Sequence, residues 1–263
     1  TPSAANGRQK NPEFCVTFAR FTPFCKTLTT QPHCCSVFAM NYVFQWREAF
    51  EQLPYLLGGT WITLHLSFLG FWCGCTIGLF GALGKTYGSP WVVRLINIYV
   101  VFFTNTPGLV TAFFIFFGLP EFGILLSPYQ VILLNIALNS GAYITEVMRG
   151  GFVSVRQTEL AAASAMGFSL LQSLRYVIVP HVAKVLYAPL SNWYIWIILG
   201  TSAASIFGVE ELTGRAFNAA SDTFRSIEIY IMVACMYVVI TILASIFLAL
   251  IGRWAFRVKA KVF

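Results

Sequence analysis

The stretch Glu159–Pro180 reads ELAAASAMGFSLLQSLRYVIVP. It is a helical interruption between strongly apolar runs. Ala161, Ala162, Ala163 and Ala165 open it, Gly167 bends it, and Leu170, Leu171, Leu174 and Val177 continue it at helical spacing. Arg156 and Arg175 flank it, so the positive-inside rule puts it on the cytoplasmic side of a membrane. A short helix with an alanine face sits closely in a groove of another protein. The stretch therefore reads as a contact surface, not a catalytic centre.

The rest of the chain agrees with a membrane setting. Of its 263 residues 57% are hydrophobic and 10% charged, with a mean hydropathy of +0.72; soluble domains average about 25% charged residues. The net charge of +7 comes from residues at the ends of apolar runs, not from a basic soluble face, which excludes nucleic acid as a partner. Cys73, Cys75 and Cys235 lie inside apolar runs and read as small packing residues. Cys15, Cys25, Cys34 and Cys35 have only a lone His33 nearby, without zinc spacing, so no metal is expected. No phosphate loop of the G-x-x-x-x-G-K-[ST] type occurs, nor H-E-x-x-H or G-x-S-x-G, and His33, His65 and His181 are scattered. The chain is therefore not an enzyme and needs no cofactor of its own; any ATP is bound by a partner subunit.

The apolar runs predict an all-α integral membrane protein with spans at about 56–83, 91–119, 128–148, 182–202 and 227–251. Residues 152–180 form the cytoplasmic loop and 40–263 the membrane domain. Residues 1–39 hold cysteines, prolines and four basic residues but no run long enough to span. They read as a disordered or non-native extension. Trp46–Tyr55 reads as an interfacial segment. In the first span Gly70, Gly74 and Gly78 recur every fourth residue, followed by Gly81 and Gly84, a spacing that lets two helices approach closely.

Polar groups inside the spans are few. Pro107 removes a backbone donor from the second span, and Thr104, Asn105 and Thr106 lie at the same depth. They read either as a kink satisfied by hydroxyls or as the lining of a path. Asn135, Asn139, Ser140 and Tyr143 mark one stripe of the third span, and Asn192 follows Pro189 in the fourth. Glu146 and Arg149, three apart, predict an ion pair on one helix face. His65 reads as a hydrogen-bonded structural residue. An ion-coupled secondary transporter, the alternative, needs ionisable groups at the midplane, and only Glu146 and His65 come near. Gly208–Arg225 is polar and reads as a short external helix and loop, either solvated or meeting a binding protein.

Lys85, Arg94, Arg149, Arg156, Arg175, Lys184, Arg253, Arg257, Lys259 and Lys261 fall on the side of the opening stretch; Arg47, Arg215 and Arg225 fall on the other. That imbalance predicts an outside N-terminus and a cytoplasmic C-terminus.

The opening stretch resembles the cytoplasmic E-A-A loop of ABC-importer permeases: E-A-A, three residues, G, nine residues, I-x-L-P. The pattern falls on Ala161, Ala162, Ala163, Gly167, Val177, Val179 and Pro180, with Ala161 in place of the Glu and Glu159 two positions earlier. The flanks NSGAYITEVMRGG (Asn139–Gly151) and SIFGVEELT (Ser205–Thr213) resemble the polar-amino-acid subfamily, the histidine, arginine, glutamine and glutamate type. Where that subfamily reads K-D-T-S, this chain has Leu199, Gly200, Thr201 and Ser202, without the charged pair. The resemblance implies the five-helix core of type I permeases in a bacterial inner membrane. It also implies an ATP-binding cassette subunit, a second permease subunit, a periplasmic substrate-binding protein and a polar amino acid as cargo. Glu159, Ala161, Ala162, Ala163, Gly167 and Pro180 are then expected to couple to the ATPase. Thr104, Asn105, Thr106, Pro107, Asn139, Tyr143, Asn192, Thr201 and Ser202 are expected to line the path.

Overall fold

The computed structural model describes residues 44–155 and 157–256. The segment 1–39, Arg156, Arg257, Lys259 and Lys261 lie outside the described residues. The helices belong to one unit, Gln45–Phe263. A short α1 (Trp46–Glu51) leads into α2 (Leu53–Tyr87), followed by α3 (Pro90–Asn105), α4 (Gly108–Glu121) and α5 (Pro128–Val153). Next come α6 (Gln157–Ala165), α7 (Leu170–Ser173) and a π-helical turn at Leu174–Ile178 that runs directly into α8 (Val179–Gly200). A 3₁₀ segment (Thr201–Phe207), α9 (Leu212–Thr223) and α10 (Ser226–Phe256) complete the unit, and no strand occurs among the described residues.

Among the described residues four helices are long and apolar enough to cross a membrane, giving up to five spans if the bent pair α3 and α4 forms one. Helix α2 has 35 residues, about 52 Å at 1.5 Å per residue, so it outruns a hydrocarbon core of about 30 Å. Where the sequence predicts one helix over 91–119, the chain has two, meeting at 108°. Thr106, before the proline, is extended at φ −106° and ψ 129°, the conformation that Pro107 imposes on its predecessor. The expected kink is a break.

The glycine repeat of α2 meets α5 directly. A Cβ on Gly70 would lie 2.5 Å from Ile136 Cγ2, one on Gly74 2.6 Å from Ser140 Cβ, and one on Gly78 2.5 Å from Ile144 Cγ2. Gly141 of α5 returns the contact, its place for a Cβ lying 2.6 Å from Ile77 Cγ2. Only glycine leaves room there, because the facing atoms are the inner ends of side chains and backbone, which cannot swing away. Ser127 starts α5 with a reciprocal cap: Gln130 N–H donates to its hydroxyl at 3.4 Å, and its own N–H donates to Gln130 Oε1 at 2.9 Å. Helix α5 is the inner element, with 56% of its most apolar window buried; in α10 the figure is 6%. Cys73 and Cys235, read from the sequence as packing residues, are exposed on the chain's own surface.

Gly74→Val is expected to overpack this seam and cost about 1–3 kcal/mol, seen as a lower midpoint in thermal unfolding in detergent. Gly200→Ala, which meets nothing within 4 Å, is expected to leave the midpoint in place.

Candidate functional site: a coupling segment and a broken span

Helix α6 ends by a Schellman turn. Gly167 sits at φ +77°; its N–H donates to Ser164 O at 3.0 Å, and Phe168 N–H donates to Ala163 O at 3.1 Å. That left-handed residue aims α7 away from α6. Ser169 and Gln172 then cap α7 reciprocally: Ser169 N–H donates to Gln172 Oε1 at 2.8 Å and Gln172 N–H to Ser169 Oγ at 3.4 Å. This S-x-x-Q signature is legible in the sequence. Ala163 is buried, whereas Ala161, Ala162, Ala165, Met166, Gly167 and Pro180 are exposed. The segment thus offers a face of small residues with Met166 at its tip. Glu159 Oε2 lies 3.7 Å from Nδ1 of His181 at the start of α8, so it ties the segment back to its own chain.

At the break, α4 is secured by two asparagines of α5. Asn135 donates through Nδ2 to Gly108 O at 3.0 Å, and its Oδ1 lies 2.6 Å from the Thr111 hydroxyl. Asn139 Nδ2 donates to Thr111 Oγ1 at 3.1 Å and to Asn135 Oδ1 at 3.0 Å. These bonds tie the first turn of α4 to α5. Thr104 donates to Val100 O at 2.7 Å and Asn105 to Val101 O at 2.8 Å. Thr201 is buried and donates to Ile198 O, while Ser202 donates to Leu199 O. Those four side chains are spent on their own helices.

Other polar groups are not. Tyr143 stacks on Trp193, centroids 3.9 Å apart and planes at 17°. The Trp193 indole N–H is buried without a hydrogen-bond partner among the described residues. Asn192, beside it, is exposed. The structure therefore brings Tyr143 of α5 together with Trp193 of α8, leaves Asn139 bonded to Asn135 and Thr111, and sets Thr201 and Ser202 apart on the 3₁₀ segment. Trp193 went unnoticed in the sequence because an aromatic in an apolar run carries no signal of its own.

Two charged clusters close the unit. Glu146 pairs with Arg149 at 3.0 Å and with Lys85 of α2; the second partner is a tertiary contact that helical spacing does not contain. At the other end, Glu211 is fully buried, not part of a solvated loop as its polar surroundings suggest. It caps α9, accepting from Thr213 N–H and Gly214 N–H, each at 2.9 Å, from Tyr237 Oη at 3.0 Å and from Thr63 Oγ1 at 3.3 Å. Burial pushes its carboxyl above the usual carboxylate range, against the pull of those four donors. Arg215 donates to Tyr55 O at 2.7 Å and lies over the Tyr55 ring. The segment after Gly208 is thus clamped to α2 and α10. His65 Nδ1 lies 2.8 Å from Tyr129 Oη, a hydrogen-bonded pair.

Residues 74–257 match the family described as binding-protein-dependent transport system inner membrane component. The chain belongs to that family. It is the permease subunit of an ABC importer, a transport component, and ATP hydrolysis falls to a separate subunit; ion-coupled transport is set aside. The chain is 34% identical over 213 residues to the glutamine transport system permease protein GlnP of Escherichia coli K12, covering 80% of this chain and 97% of that one. It is 33% identical over 209 residues to the L-cystine transport system permease protein TcyB of Bacillus subtilis, covering 79% of this chain and 89% of that one. A solved amino acid ABC transporter superposes with a TM-score of 0.75 at 30% identity, over 81% of this chain and 99% of that one. A MetNI methionine ABC transporter superposes at 0.64 with 18% identity over 77% and 97%, a likeness of fold alone. The permease is accordingly a multi-pass, all-helical membrane protein with ATPase and binding-protein partners.

Glu211→Ala in the permease is expected to orphan the buried N–H groups of Thr213 and Gly214 and cost roughly 3 kcal/mol. The change is read as a lower unfolding midpoint together with faster hydrogen exchange at those two amides.

Proposed function

We propose that this permease carries a polar amino acid across a bacterial inner membrane, with the segment 157–180 docked in a groove of the ATP-binding cassette subunit. What carries the reading is that segment: an exposed face of alanines, closed by a left-handed glycine, at the end of the unit where the Lys/Arg excess lies. In this arrangement the N-terminus is outside and the C-terminus cytoplasmic. Ala161, Ala162, Gly167 and Pro180 meet the ATPase, Ala163 anchors the face from within, and Glu159 holds the segment to α8 through His181. Closure of the ATPase pair moves the segment, and the π-helical turn, continuous with α8, carries the motion into the bundle.

The translocation path runs along the faces of α5 and α8 that carry Asn139, Tyr143 and Asn192. Polar groups left unspent in a span face either water or another subunit, and Tyr143 and Asn192 are such groups. Thr106 and Pro107 form the break beside it, and Thr104, Asn105, Thr201 and Ser202 border the same path with their hydroxyl and amide groups engaged locally. A second permease subunit supplies the opposite wall, and a periplasmic binding protein delivers the amino acid from the α9 side. The amino-acid transport systems named for the permease's relatives support this cargo class.

Gly167→Val tests the coupling segment. A β-branched residue at φ +77° is strained by about 1–3 kcal/mol, so the chain is expected to insert while the ATPase no longer co-purifies. Gly150→Ala, with nothing within 4 Å, is the control and retains it. Normal co-purification with Gly167→Val would remove the segment from the contact. For the path, Tyr143→Ala is expected to lower binding-protein-dependent uptake at least tenfold with the complex intact; undiminished uptake would move the path elsewhere.

A further inference from the structure

The indole N–H of Trp193 is buried inside the unit with no acceptor among the described residues. An indole nitrogen only donates, and a buried donor left unpaired is costly. Such a group calls for a partner that another state or another molecule supplies. Trp193 lies about 21 Å along α8 from Val179 at 1.5 Å per residue, well within the length of a span.

The surroundings narrow the partner. Toward the coupling segment the seam between α5 and α8 is apolar: Gly151 packs on Leu186 and Val182, and Val147, Met148 and Leu190 join the same cluster. The stack of Tyr143 on Trp193, centroids 3.9 Å apart, continues that seam away from the segment. The Tyr143 hydroxyl and the Asn192 amide have no hydrogen-bond partner among the described residues. Glu146, one turn from Tyr143, is taken up by Lys85 and Arg149, and those two cations with it. The unspent groups at the stack are therefore neutral. A second subunit seated on the outside of this chain does not reach an atom buried within it; a solute admitted between α5 and α8 does.

We infer that the Trp193 indole N–H receives the α-carboxylate of the cargo, and that the Tyr143–Trp193 stack is the contact that parts to expose it. This role rests on the path reading given above, in which α5 and α8 line the route of a polar amino acid. The α-carboxylate is the acceptor that every amino acid carries, and an N–H bonded to an ionised acceptor makes the stronger kind of hydrogen bond. Parting of the helices gives up the ring contact and satisfies the donor. Cargo thereby favours the parted arrangement over the stacked one.

The test measures binding-protein-dependent uptake of a radiolabelled mixture of the twenty amino acids by the importer, assembled with its ATPase in proteoliposomes. Rates are taken per assembled complex. Trp193→Phe keeps a ring for the stack and removes the N–H; uptake is expected to fall about tenfold. The tryptophan analogue with sulfur in place of the N–H, introduced at position 193 alone, keeps both size and stack and is expected to show the same loss. Full uptake with the analogue would overturn the inference, even where Trp193→Phe is impaired, because only packing would then be at stake. The path reading fails on a different result, undiminished uptake in Tyr143→Ala. A loss in Tyr143→Ala beside full uptake with the analogue keeps the path and removes the donor.

Discussion

The close seam between α2 and α5 is the constraint on which the other contacts depend. Gly70, Gly74 and Gly78 let two helices meet at backbone distance, and dispersion contacts of that closeness hold helices together where lipid offers no hydrophobic drive. With α5 fixed on α2, Lys85 at the end of α2 reaches Glu146 of α5. At the other end Thr63 and Gly59 of α2 receive Glu211 and Leu212. Both charged clusters are therefore downstream of one apolar contact. The pairs do not bring the helices together; burying a charge before its partner is in place costs more than the pair returns.

Helix α5 then serves a second purpose. It is the most buried of the uninterrupted spans and carries the asparagines. Asn135 and Asn139 reach across to the first turn of α4 and hold it against α5, while Thr104 and Asn105 donate to the carbonyls of Val100 and Val101 at the end of α3. The break in turn leaves α3 and α4 free to differ in direction by 108°. A proline alone would produce a kink. The sharper angle needs the extended Thr106 and the side-chain bonds together.

What the sequence makes legible follows from which forces are local. The glycine repeat is a pattern of one helix, and its partner need only be another helix, so the seam is readable without a structure. Gly167, the caps and the pair Glu146–Arg149 lie within a few residues of their partners and are readable for the same reason. Glu211 is not. A glutamate among Gly208, Glu210 and Arg215 looks solvated, and its burial depends on Thr63 and Tyr237, which are distant in sequence. Lys85 and Trp193 share this difficulty. Glu48 lies in the stretch read as interfacial and Arg225 in the one read as an external helix and loop, yet the two pair at 3.5 Å, a contact between residues far apart in sequence.

The path candidates sort by the same accounting of polar groups. Serine, threonine and asparagine in a membrane helix look functional in a sequence because they are costly in lipid. Most are cheap in fact, since a hydroxyl or amide bonds the carbonyl three or four residues back, as Thr104, Asn105, Thr201 and Ser202 do. A polar residue becomes informative when its own helix does not satisfy it. Tyr143, Asn192 and the indole of Trp193 meet that condition, and the stack of Tyr143 on Trp193 joins two of them across α5 and α8. Trp193 lies on α8, which is continuous with the π-helical turn, so under the proposed coupling a movement of the segment reaches this member of the pair first. Asn192 and Trp193 thus share one helix with the segment proposed to act as the lever.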